Sequence, residues 1–166
     1  MRSLLQIVHM KWNKIIFSGI FVWFLQLISA DLLAINTVRP DFVVIAVLYW
    51  SVRNGRLTGI FSGLIIGLLI DLSGTATFFG LSPLIYTITG YLGGHLFEKN
   101  QSVNIIYFTL AWVAIIGFQF LIFCLVRYQN ILITNYVLFW SKWFGTFFYT
   151  ICFAGILQLI YPINND

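Results

Sequence analysis

The sequence predicts an all-α integral membrane protein of six transmembrane helices with short loops, one domain over residues 1–166. Three observations predict it. Sixty per cent of the 166 residues are hydrophobic and 8% are charged, whereas soluble domains run about 45–50% apolar and about 25% charged. Mean hydropathy is +0.94. The apolar residues gather in runs close to the roughly 20 residues a helix needs to cross a bilayer. Nine basic and five acidic residues could not cover the surface of a soluble globule this apolar. A soluble enzyme, a disordered chain and a nucleic-acid-binding domain are thereby excluded. The net charge of +4 fits anchoring charges on one side of a membrane. Nucleic-acid binding would need a clustered basic face, and the chain has no basic run.

The first span is expected over about 15–36, after Arg2, Lys11 and Lys14. It is too long for a signal peptide and has no convincing cleavage site. Arg39-Pro40-Asp41 then breaks the pattern. Pro40 suits the first turn of a new helix, where no N–H is needed. The second span, 40–53, reaches only about 21 Å at about 1.5 Å per residue. It crosses only if the bilayer thins or its flanks snorkel. Arg53-Asn54-Gly55-Arg56 forms a polar turn before the third span, 57–72. Ser73-Gly74-Thr75 opens a loop, and the fourth span covers 81–97. The fifth covers 103–126. Residues 128–141 are mixed, and either lie in the interface or extend the sixth span, 142–161.

Six spans with the N-terminus inside put Arg2, Lys11, Lys14, Arg53, Arg56 and Lys99 in the cytoplasm, with Arg39, Arg127 and Lys142 outside. The positive-inside rule favours that orientation, with both termini cytoplasmic. If the second run does not cross, everything after it inverts and the bias nearly vanishes. Trp12, Tyr128, Trp140, Trp143 and Tyr161 fall near span ends, as an aromatic belt requires.

The third span carries Gly59, Gly63 and Gly67 at four-residue spacing, with Asp71 the next step; the fourth offers Gly90 and Gly94. Small residues so spaced let helices approach closely. The ridge serves packing between spans three and four or an interface with another protein. Asp31 and Asp71 are the acidic residues placed within apolar runs. An ionised carboxylate there is costly unless paired or near water. Both sit toward outer span ends, on the side of Arg39. An ion pair of Arg39 with Asp71 or Asp31 is expected; a proton or cation site is the rival reading. Gln26, Gln119 and Gln158 sit inside spans and are expected to bond across helices. Ala30 and Ala34 make a small-residue pair on span one. Cys124 and Cys152 read as apolar core residues. His9 and His95 have no neighbour at metal-ligand spacing. No catalytic motif stands in a suitable context, so neither an enzyme nor a cofactor is expected.

Residues 39–74 read RPDFVVIAVLYWSVRNGRLTGIFSGLIIGLLIDLSG. The combination of Arg39-Pro40-Asp41, Tyr49-Trp50, a basic turn at 53–56, the glycine ridge and Asp71-Leu72-Ser73-Gly74 resembles the rod shape-determining protein MreD family. Phe79-Gly80-Leu81 and Tyr91-Leu92 resemble it too. The motif similarity covers about 39–94, and the rest agrees in pattern. Relatives often carry Pro and His in the turn at 53–56, which this chain does not.

The resemblance implies a bacterial inner-membrane scaffold of the cell-elongation machinery, without catalysis. It would bind MreC directly. Through MreC it would join MreB, RodA and a class B penicillin-binding protein, supporting peptidoglycan synthesis and rod shape. It also implies a fold similar to the substrate-binding subunits of energy-coupling-factor transporters. That brings in an alternative, a small-molecule-binding or transport subunit whose outward cavity is bordered by Asp31, Arg39 and Asp71. Transport would more usually show broken helices and several polar groups at midplane, and few are present.

Overall fold

The computed structural model describes residues 15–28, 32–34, 38–75, 78–99 and 105–160. Among the described residues there are seven helices: α1 (Ile15–Ile28), α2 (Phe42–Asn54), α3 (Arg56–Ile70), α4 (Leu81–Lys99), α5 (Ile105–Arg127), α6 (Gln129–Thr134) and α7 (Tyr136–Ile160). A π-helical turn over Asp71–Thr75 extends α3.

The shortest of the apolar runs is the most deeply placed. α2 has only 13 residues, about 20 Å of helix, yet Val43, Val44 and Val47 are fully buried. It packs on α3 and α4, which form the most extensive helix pair, while α5 joins α4 to α7. A helix apolar all round belongs in an interior. Neighbouring helices cover most of it, so its length need not match the bilayer as a wholly lipid-facing helix must. Tyr86 of α4, Trp112 and Ile116 of α5 and Ala154 of α7 complete the core around it.

The ends of α2 are set by local chemistry. Asp41 is its N-cap, in extended backbone, and its Oδ1 accepts from Val43 N at 3.0 Å and Val44 N at 3.1 Å. Pro40 therefore precedes the cap instead of opening the first turn. A carboxylate satisfies two of the orphan amides of a helix start, so Asp41 takes the cap and the helix begins after it. At the other end Gly55 has φ 91°. That left-handed value favours glycine and lets α3 start at the next residue.

Among the described residues, three helices are long and apolar enough to cross a membrane: Arg56–Gly74, Ile106–Arg127 and Tyr136–Ile160. α1 and α2 are shorter apolar helices. The expected first span does not continue as helix to residue 36. Leu33 lies in a turn, and its carbonyl accepts from Tyr149 Oη at 3.0 Å; a continuing helix would use that carbonyl itself. The mixed segment 128–141 divides. Asn135 ends α6, and its Oδ1 accepts from Leu138 N at 3.1 Å. That caps α7, which begins at Tyr136, earlier than expected.

Candidate functional site

The glycine ridge lies in the seam between α3 and α4. A Cβ built on Gly63 would meet the Tyr86 backbone carbonyl, one on Gly67 the backbone of Pro83, and one on Gly94 that of Arg56. Gly59 and Gly90 face one another so closely that a Cβ on either would strike the other's carbonyl. All five glycines thus let two backbones come within contact, the condition under which dispersion and weak C–H···O contacts add along a membrane seam. Gly93, which the four-residue spacing passes over, faces Ser51 of α2. The seam so gathers α2, α3 and α4.

Asp71 sits where α3 passes into its π turn. It is 5% exposed, and its Oδ2 accepts from Gly80 N at 2.6 Å. That bond ties the end of α3 to the start of α4 across the loop between them. Oδ1 is buried and has no hydrogen-bond partner among the described residues. Arg39 is exposed just before α2. Asp31 and Ala30 lie outside the described residues, as do His9 and Trp12. A further tie at this end comes from Trp23 of α1, whose Nε1 donates to Ser73 Oγ at 3.1 Å.

A polar node at the start of α2 was not anticipated. Besides capping α2, Asp41 accepts at Oδ2 from the Tyr86 hydroxyl at 2.8 Å. Its own N–H donates to Thr150 Oγ1 of α7 at 3.3 Å. Gln26 of α1 accepts at Oε1 from Phe42 N at 2.8 Å and donates from Nε2 to Pro40 O at 3.2 Å. Four helices therefore meet on one short segment, 40–42. The signal was available: an aspartate directly before an apolar run is a helix-start signature.

Of the other in-span glutamines, Gln119 of α5 bonds across helices, accepting from Thr89 Oγ1 of α4 at 2.8 Å. Gln158 lines a groove beside α2. His95 stands edge-on to the Tyr91 ring, with centroids 5.0 Å apart. Cys124 is buried, Cys152 is exposed and both are free thiols. Among the described residues no three His, Cys, Asp or Glu side chains gather closely enough to hold a metal. The bonds of Gln26, Asp41, Asp71 and Gln119 tie helices together or close a helix end.

Neither the comparison with curated proteins nor that with solved structures returned a match. The family model described as rod shape-determining protein MreD matches residues 2–164, nearly the whole chain, and so takes in both the glycine seam and the polar node. The apolar helices packed around α2 agree with a bacterial membrane protein, and the chain belongs to the MreD family of rod shape-determining proteins.

Proposed function

We propose that the chain is a non-catalytic scaffold of the cell-elongation complex that binds MreC directly in the inner membrane. Through MreC it serves MreB, RodA and a class B penicillin-binding protein, and so peptidoglycan synthesis and rod shape. The single observation that carries the reading is the family match over residues 2–164. The use of polar side chains agrees with it: Asp41, Gln26, Asp71, Thr89 and Gln119 all hold helices in place. Because the glycine ridge is filled by α4, the MreC span is assigned to an outward face. The exposed stripe of Phe17, Phe21, Phe24 and Ile28 on α1 is suited to it, since these recur at helical spacing on one side.

In this reading α1 to α5 and α7 cross the membrane, with both termini cytoplasmic, and α6 lies at the interface. The short α2 crosses largely covered by other helices, which reduces the mismatch a lipid-facing helix of its length would suffer. Similarity to the substrate-binding subunits of energy-coupling-factor transporters rests on the family resemblance alone.

Co-purification in mild detergent with MreC from the same organism tests the reading. A stoichiometric complex is expected, together with rounded cells when the chain is depleted. A folded, monodisperse protein that recovers no MreC would contradict it.

A further inference from the structure

A groove of about 530 Å³ runs beside α2, bounded by α1, α5 and α7. The edge-to-face pair Phe42 and Phe153, 5.2 Å between centroids, contributes to one end of its lining. The aliphatic middle includes Ala46 and Leu157. Its polar lining residues lie together at the other end. Gln26 fixes α1 level with the start of α2, and a Cβ on Gly19 would come 3.7 Å from Trp50 Cη2. Ser18 therefore stands near the last turn of α2, which carries Arg53. Thr150 fixes α7 level with Asp41, so Gln158, about 12 Å further along, lies toward that same end. Arg53 is exposed, and its guanidinium stacks over the Tyr49 ring at 5.1 Å.

Size and charge select an occupant. From Phe42 to Arg53 the helix rises about 16 Å, and the groove runs along that length lined mostly by aliphatic and aromatic side chains. An extended hydrocarbon chain fits. A planar, always-charged guanidinium at the polar end is suited to the two oxygens of a phosphodiester. We propose that the groove holds one acyl chain of an anionic phospholipid whose phosphate is met by Arg53. The lipid would act as a filler of the fold, closing the flank of α2 that protein leaves open. This site does not depend on MreC binding and stands or falls separately from it.

The test is native mass spectrometry on the full-length purified protein, titrated with phosphatidylglycerol and with phosphatidylcholine of the same chains. Wild type is expected to keep one phosphatidylglycerol about tenfold more tightly than phosphatidylcholine. Arg53→Gln should bring both to the phosphatidylcholine level. Ala46→Phe, which fills the groove, should weaken both at least tenfold. If that variant does not fold, Leu157→Phe blocks the opposite wall. Wild type with no lipid beyond the exchangeable shell would overturn the proposal. So would retention unchanged by the blocking variant, or a preference untouched by Arg53→Gln. Photo-crosslinks from position 157 should capture lipid, and capture of a protein chain instead would assign the groove to a partner and overturn it too.

Discussion

The Tyr86 hydroxyl donates to Asp41 Oδ2 at 2.8 Å, while the other oxygen of that carboxylate caps α2. One side chain thus closes the buried helix and fastens it to α4. Tyr86→Phe leaves Oδ2 without this donor and is expected to cost about 1–3 kcal/mol, read as a lower Tm in detergent. Asp41→Ala also removes the cap and should lose more, whereas Asp41→Asn keeps an acceptor for Val43 and Val44 and should lose less. An unchanged Tm in Tyr86→Phe would show that the bond contributes nothing.

Thr89 and Gln119 are both buried and bond at 2.8 Å between α4 and α5. Hydrogen bonds between membrane helices average about 0.6 kcal/mol and reach about 1.7. A double-mutant cycle with Thr89→Val and Gln119→Leu is expected to give a coupling in that range. Strictly additive losses would mean the two helices are held by packing alone.

Asp71 offers a choice between two accounts of its charge. Its observed partner is the Gly80 N–H, for which an amide oxygen serves as well as a carboxylate. Asp71→Asn should therefore keep nearly the wild-type Tm, and Asp71→Ala should lose about 1–3 kcal/mol. If Asn proves as damaging as Ala, the charge itself matters. That outcome, with a matching loss in Arg39→Gln, would support an ion pair between the two.

Much of this molecule was legible in its sequence, and the exceptions have particular causes. The glycines at 59, 63 and 67 announced a close helix approach, because only small residues permit it, and α4 supplies the approach. The central position of α2 was harder to read. Its length marks it as a marginal span, and only its lack of a polar face points to burial among other helices. The turn at Leu33 was not readable, since its carbonyl is taken by Tyr149, 116 positions away in sequence. Asp41 is legible as a cap, an aspartate directly before an apolar run. Its second bond, to Tyr86, depends on helix packing that no local pattern encodes.

The most direct measurement compares Gly63→Leu with Gly155→Leu for folding and for MreC co-purification. A side chain on Gly63 would run into the Tyr86 backbone, whereas nothing lies within 4 Å of a Cβ on Gly155. The account predicts that Gly63→Leu loses at least about 3 kcal/mol and its monodisperse fold, taking MreC with it, while Gly155→Leu stays folded. A Gly63→Leu protein with wild-type Tm that loses only MreC would contradict the account and put the ridge at the partner interface.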